Sequence, residues 1–348
     1  MITTATEDEL AAILRLANDC LADVPVTVLG SGASCAHGIS GMWALSQYLI
    51  EKVEPLADDA ETWDQFKEKL EANNDLEEAL QAVAVSSELL QEIVKHTHKL
   101  ILEDELPIYQ RLVSGDLRLG LSSLFEHMFN STHKVIDVVT TNYDRIAEHA
   151  ASHAKLRYNT GFSEGTIRQF TGGRSEPKHY STHANFRCVD ISKVHGSVDW
   201  FKDSLGNPVG LIDHSMPTCS PLIVTPGTDK YSVTHQEPFR SIITSADAAL
   251  CSARGFLCVG YGFNDKHIEP KLIQRSAAIQ CPVLILARTL RQGAKDFLAE
   301  HMHSKVLVFE KCDGGTRAIS SNAIDGVLIE NEDLWDLEAL LKKLGIMG

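Results

Sequence analysis

The stretch Val26-Thr27-Val28-Leu29-Gly30-Ser31-Gly32-Ala33-Ser34-Cys35-Ala36-His37-Gly38 decides how this chain is read. Its first four residues are apolar or β-branched, which predicts a strand covered on both faces. The Gly-x-Gly-x-Ser turn that follows leads into a helix. Glycines at these positions let the backbone turn tightly and approach a phosphate at the helix N-terminus. The third glycine of the usual dinucleotide fingerprint is replaced by Cys35, so the turn taken alone also fits a purely structural role.

Working outward, six further short runs have the same character: Val135 to Thr140, Ile191 to Val194, Leu222 to Thr225, Phe256 to Val259, Val283 to Leu286 and Lys305 to Phe309. Helical patterns separate most of them, which predicts an α/β fold: a doubly wound, mostly parallel, Rossmann-like sheet. The stretch from about 41 to 132 carries no strand pattern. It reads as a helical insertion module, with amphipathic helices over Trp63 to Glu71, Asp75 to His98 and Ser122 to Phe129, and acids and caps at Ala60-Glu61-Thr62-Trp63-Asp64 and Asn74-Asp75-Leu76-Glu77-Glu78. From about 158 to 190 the chain turns polar and glycine-containing, which predicts a long loop, hairpin or lid. The whole of 1–348 is expected to form one domain around this sheet.

The 348 residues carry 32 Lys and Arg against 47 Asp and Glu, a formal charge of −15. That excess argues against a nonspecific nucleic-acid binder, whose affinity comes from neutralising phosphates. No run reaches the roughly 18 apolar residues of a membrane span, and the N-terminus lacks the regions of a signal peptide, so the expected location is the cytoplasm. The eight cysteines are scattered and contain no Cys-x-x-Cys pair, which predicts buried free thiols and no thiolate zinc site. His96-Thr97-His98 and His301-Met302-His303 have i, i+2 spacing, which on helices makes the rings diverge; no metal site is expected. Cys35 reads as packing or ligand contact, and Gly32-Ala33-Ser34-Cys35-Ala36 fails the serine-hydrolase elbow at its last position.

Three more segments place chemistry-bearing residues at strand ends. Val138-Val139-Thr140-Thr141-Asn142-Tyr143-Asp144 ends a strand just before a helix, where its polar residues either face the crevice of a doubly wound sheet or cap the helix. Lys193-Val194-His195-Gly196-Ser197-Val198-Asp199-Trp200 puts a histidine beside a glycine that permits close backbone approach. Cys258-Val259-Gly260-Tyr261-Gly262-Phe263-Asn264-Asp265 ends a strand in a glycine turn, able to hold a ribose or phosphate or simply to cap a helix.

In this order the four segments resemble the sirtuin-like NAD-consuming family, and its bacterial anti-phage defence branch in particular. The resemblance runs from about Val26 to Arg288, with 41–132 similar only in kind. It implies that Gly30, Gly32, Ala33 and Ser34 bind the NAD diphosphate and that Asn142 is catalytic, with Thr141 and Asp144 at the nicotinamide pocket. It also implies a catalytic role for His195 and places Gly260, Tyr261, Phe263, Asn264 and Asp265 around the adenosine ribose. Two departures set the chain apart from the deacetylating sirtuins: the paired Cys-x-x-Cys zinc ligands are absent, and Gly38-Ile39-Ser40-Gly41-Met42-Trp43 stands where they carry Gly-Ile-Pro-Asp-Phe-Arg.

The resulting expectation is an NAD glycohydrolase that releases nicotinamide and ADP-ribose, with NAD as substrate and no metal. In this reading Asn142 orients a water and His195 bonds ribose hydroxyls and acts as base. The resemblance further implies control by self-assembly, a partner sensor or a ring ATPase, and abortive infection by NAD depletion. Alternatives are a noncatalytic NAD or ADP-ribose sensor, and an ADP-ribosyltransferase or deacylase.

Overall fold

The computed structural model describes residues 2–73, 76–174, 187–212, 219–225 and 235–348. In chain order, β1 (Thr3–Thr4) and α1 (Glu7–Ala22) precede β2 (Val26–Leu29) and the short α2 (Ser31–Cys35). Five helices follow: α3 (Met42–Lys52), α4 (Ala60–Asn73), α5 (Leu76–Ala82), α6 (Ser87–Ser114) and α7 (Gly120–Met128). Next come β3 (Val135–Thr140), α8 (Ile146–His153), β4 (Arg157–Asn159), β5 (Ile167–Gln169), β6 (Cys188–Lys193), β7 (Gly196–Lys202), β8 (Pro208–Leu211) and β9 (Ser220–Ile223). The last third contributes α9 (Phe239–Ser252), β10 (Phe256–Val259), α10 (Glu269–Ile279), β11 (Val283–Ala287), α11 (Gln292–His301), β12 (Val306–Cys312), β13 (Gly315–Ser320), β14 (Ala323–Glu330) and α12 (Leu337–Lys343).

A ten-stranded sheet in the order β1-β14-β13-β12-β11-β10-β2-β3-β6-β4 organises the molecule. From β12 to β4 every neighbour is parallel; β13 pairs antiparallel with both β12 and β14. The chain leaves β2 toward β3 and β6 on one side and returns to β10 on the other. That reversal opens a crevice at the carboxyl ends of β2 and β10, where ligands of open α/β sheets bind.

Alternation along the central strands shows why the sheet is buried on both faces. Leu257 and Val259 of β10, Leu284 and Leu286 of β11 and Leu307 and Phe309 of β12 face a core shared with α1, α7, α8 and α12. Phe256 and Cys258, Val283 and Ile285, and Val306 and Val308 face a second core under α9, α10 and α11. The doubly wound, mostly parallel architecture expected from the sequence is present.

The helical insertion has its own core, in which Trp63, Phe66 and Leu70 of α4 meet Leu45 and Leu49 of α3 and Leu89 and Ile93 of α6. Several expectations change in detail. The single helix over 75–98 is two helices, α5 and α6. The chain breaks after Ala82, and Ser86 caps α6 by accepting the Leu89 N–H at 3.0 Å. The helix then runs on through Pro107 to Ser114. The Asn74-Asp75 cap lies outside the described residues.

The run at 222–225 does not join the parallel sheet. It belongs to β9, which pairs antiparallel with β7 in a separate four-stranded sheet of order β5-β8-β7-β9. This sheet packs Trp200 and Leu222 against Phe239 and Ile242 of α9. The polar stretch at 158–190 is also not one loop: β4 extends the main sheet, β5 edges the small one, and Phe162 bridges Phe170 between them. Its remainder, 175–186, lies outside the described residues. No described helix is long and apolar enough to cross a membrane.

Candidate functional site

The turn after β2 is built by contact between backbones. The Gly30 N–H donates to the Val259 carbonyl at 3.1 Å and the Gly32 N–H to the Gly260 carbonyl at 3.2 Å. A Cβ on Gly30 would lie 2.7 Å from the Tyr261 Cα, and one on Gly32 would lie 2.7 Å from the Gly260 Cα. Gly260, at φ +58°, returns the contact onto Gly32 and Ala33. The glycines are thus needed first to let the β2 and β10 turns pack together. Approach to a phosphate was the reason expected from the sequence; here the space beside each missing Cβ belongs to the other turn.

Asn142 is tied into that turn from the end of β3. Its backbone N–H donates to the Thr140 Oγ1 at 3.0 Å, and its side-chain Nδ2 donates to the Gly30 carbonyl at 2.9 Å and to the Ser34 Oγ at 3.0 Å. A carbonyl can only accept, so the Gly30 contact fixes which way the amide points. Oδ1 makes no hydrogen bond to the described residues and is left for a ligand or water. Ser34 passes the chain of bonds on to the Asp144 carboxylate, and the Thr141 N–H donates to the Leu29 carbonyl at 3.4 Å.

Asp144 is buried and caps a helix. Its Oδ1 accepts the Ile146 N–H at 3.0 Å at the start of α8, which realises the capping alternative. Burial pushes its pKa up, against the pull of the Lys193 ammonium, the Ser34 hydroxyl and the Ile146 N–H. Lys193, with no exposed surface, donates to the Asp144 carbonyl and at 3.0 Å to Glu148.

His195 occupies the turn between β6 and β7, with 7% of its surface exposed. Gly196, at φ +92°, is required there, because a Cβ would collide with the Leu222 carbonyl of β9. The His195 carbonyl in turn accepts the Val224 N–H at 2.9 Å. Across the crevice, His195 Nε2 stands 2.9 Å from Asp265 Oδ2 in a close contact whose angle is not that of a linear hydrogen bond. Asp265 Oδ1 accepts the His267 and Ile268 N–H groups at 2.9 and 3.2 Å.

The remaining residues of the β10 turn divide between core and crevice. Phe263 has a positive φ of 55°, and its ring stacks on Phe297 of α11 at 4.9 Å, inside the second core. It serves as packing, and its ring is unavailable to a ribose. Tyr261 packs beside it at 5.1 Å, and burial together with the charge of Asp265 raises the phenol pKa well above its usual value. Asn264 lies beside Gly262: a Cβ there would come within 3.3 Å of its Oδ1.

Two residues that the sequence did not single out hold the site from the insertion. On α6, Asp104 accepts the Ser40 N–H at 2.7 Å, and its neighbour Glu105 accepts the Arg145 N–H at 2.9 Å and Nε at 2.7 Å. Glu105 also contacts His149 Nε2 at 2.7 Å and is 1% exposed. Burial pushes its pKa up, but His149 and Arg145 outweigh that and bring it down to about 2. One helix turn thus fastens the loop after α2 and the loop after β3. A single acid in an amphipathic pattern carries no local signal of this, since it looks like a solvated face.

The expected histidine pairs do diverge. His98 reaches the Val198 carbonyl at 2.7 Å, while His96 stands 3.8 Å from Glu92. His303 lies past the end of α11 rather than on it, and faces the Ser276 hydroxyl at 3.3 Å. All eight cysteines are free thiols, but only Cys20, Cys188, Cys258 and Cys281 are buried; Cys35 and Cys251 are exposed. Although the residue is exposed, partial desolvation of its sulfur, with Asp144 and Asp104 nearby, raises the Cys35 thiol pKa, so it is not an activated nucleophile.

No curated protein matches the chain. Among solved structures, it is similar to a Sir2 bound to acetylated peptide at 13% identity, over 98% of this chain and 100% of that one, with a TM-score of 0.45. A Sir2 variant with deacetylated p53 peptide and 3'-O-acetyl ADP ribose gives 11% identity, 97% and 99% coverage and a TM-score of 0.44. A structure of Sir2 enzymes described for their mechanism and regulation gives 12% identity, 82% and 89% coverage and a TM-score of 0.43. The family model described as the SIR2-like domain matches residues 137–288, a span that contains Asn142, Asp144, His195 and the whole turn from Gly260 to Asp265. Residues 137–288 are similar to the SIR2-like domain.

Proposed function

We propose that this protein is an NAD glycohydrolase that cleaves NAD to nicotinamide and ADP-ribose. The observation that carries the reading is Asn142: its amide nitrogen is committed to Gly30 and Ser34, and its oxygen is left at the crevice. An oxygen so braced can accept a hydrogen bond from a water and hold it in one place. The match of residues 137–288 to the SIR2-like domain and the contact of His195 with Asp265, in the segment whose Gly260 packs on Gly32, support the reading. Loss of nicotinamide proceeds through an oxocarbenium-like sugar whose leaving group is already cationic, so the demand is for a positioned water and a base rather than a strong acid. Asn142 orients the water and His195 takes its proton.

Gly30, Gly32, Ala33 and Ser34 would lie along the diphosphate, and Asp144, through Ser34, keeps the Asn142 amide in register. The lack of any Cys-x-x-Cys pair supports hydrolysis over peptide deacetylation. Such an enzyme drains a cell of NAD, so its activity requires a switch; a partner subunit or self-assembly in anti-phage defence is the setting we infer. The test is incubation of the purified protein with NAD while nicotinamide and ADP-ribose are quantified, with and without the product encoded beside it, and a parallel assay on acetylated peptide. Nicotinamide release without deacetylation is expected. Intact NAD under every condition rules the reading out.

A further inference from the structure

We propose that Asp265 is the positioning residue of His195, fixing its tautomer from across the crevice. The inference rests on the glycohydrolase reading only for its kinetic consequence. Both side chains are nearly buried, at 5% and 7% exposure, and Asp265 Oδ2 lies 2.9 Å from His195 Nε2. The other carboxylate oxygen is immobilised by the N–H groups of His267 and Ile268, at the entrance to α10. With Oδ1 so occupied, Oδ2 has a fixed direction, toward the imidazole.

A carboxylate oxygen only accepts hydrogen bonds, so it selects the tautomer with the proton on Nε2 and leaves the lone pair on Nδ1. Contacts of this kind are often poorly aligned before substrate binds and tighten in the complex, which fits the angle seen here. Lys193, on the strand that leads to His195, is engaged by Glu148 and the Asp144 carbonyl, and β9, which packs beside the turn, contains only Ser220, Pro221, Leu222 and Ile223. Tyr261 lies on the Asp265 side. The segment from Gly260 to Asp265 therefore does more than close a turn: it carries the acid that orients the base.

The substitution Asp265→Asn tests this with the shape preserved. The amide oxygen can still accept the two N–H groups, so the turn folds, but the amide nitrogen now faces His195 as a donor. Nε2 must then accept, and the proton moves to Nδ1. Imidazole ¹⁵N spectra at about pH 8.5, well above the ordinary histidine value near 6.5, read the tautomer directly without any substrate. The protein has 15 histidines, and the resonances lost in His195→Gln identify the right one. The expected result is an Nε2–H tautomer in the wild type and an Nδ1–H tautomer in Asp265→Asn. In turnover, kcat should fall by about 10² or more, as when a triad histidine is held in the wrong tautomer, with KM for NAD within about threefold.

An Nδ1–H tautomer in the wild type, or one unchanged by Asp265→Asn, overturns the proposal. So does a rise in KM at unchanged kcat, which would make Asp265 a ligand of the substrate. A tautomer that inverts in a protein releasing no nicotinamide leaves the Asp265 assignment standing and removes the glycohydrolase reading instead.

Discussion

At the scale of single residues, the site depends on side chains with few alternative ways to be satisfied. Asn142→Ala removes two hydrogen bonds to the glycine turn, those to Gly30 and Ser34. It should lower stability by about 1 to 3 kcal/mol and abolish nicotinamide release. Thermal unfolding and product assay of the same sample separate the two, and a folded Asn142→Ala protein with full turnover would remove Asn142 from the mechanism. Gly32→Val is different. A side chain there runs into the Gly260 Cα, so the change pushes the β2 and β10 turns apart, and overpacking of this kind costs about 1 to 3 kcal/mol or more. The expected outcome is a marked loss of stability together with a loss of NAD binding by calorimetry. Undiminished affinity in a folded Gly32→Val variant would show that the dinucleotide does not bind at this turn.

At the scale of elements, α6 is the brace of the site. Glu105 is shared by Arg145 and His149, so Glu105→Ala removes the acceptor of the Arg145 N–H and Nε and the partner of His149. Breaking a buried pair from one side costs about 3 to 5 kcal/mol. The loosening should also reach Asn142, three residues before Arg145, and reduce turnover beyond what the lost stability explains. Measurement well below the melting temperature checks this: wild-type kcat in a folded Glu105→Ala variant would confine α6 to the fold. Exchange of backbone amides should rise at Ser40 and Arg145 together if α6 acts as one clamp.

At the scale of the whole molecule, buried acids of opposite tendency shape the response to pH. Glu105 and Asp199 are both held at about 2: burial pushes each up, and the cationic partners Arg145 and His149, or Arg168, Lys193 and Arg145, more than reverse it. Their folded values lie below the unfolded ones, so their contribution is full above about pH 4.5 and is lost as the pH falls toward 2. Burial raises Asp137 to about 6 despite Arg174, and raises Asp144 and Glu148 despite Lys193. These groups act with the opposite sign: the stability they cost accrues as the pH rises above the unfolded carboxylate value, for Asp137 between about 4 and 6. Thermal midpoints should therefore fall steeply as the pH drops from about 4.5 toward 2. A midpoint unchanged between about pH 4.5 and 2 would contradict the assignment. Chelators should neither unfold nor inactivate the protein, and a stoichiometric zinc on metal analysis would overturn that expectation.

The sequence by itself determined the sheet and the four loops that meet at its carboxyl end. Near-continuous apolar strands such as Val26 to Leu29 and Val283 to Leu286 can be covered only by helices on both faces, and the glycines that follow β2 and β10 mark where the backbone must turn sharply. Those signals are local, and a single chain displays them. The second sheet was not legible: β5, β8 and β9 are only three or four residues long, and the buried charges of Arg168 and Asp199 are tolerable only because the two strands that carry them bring the pair together. The same holds for Glu105 and Asp265. Each is one acid among 47 Asp and Glu residues, and only the fold sets one against Arg145 and the other against His195. Periodicity reports which face of an element is buried; it does not report which distant side chain will be met there. Contacts between residues 40 or 70 positions apart are decided by the packing of whole elements, which is why the strands and turns of this protein could be read from its sequence and the partners of its buried charges could not.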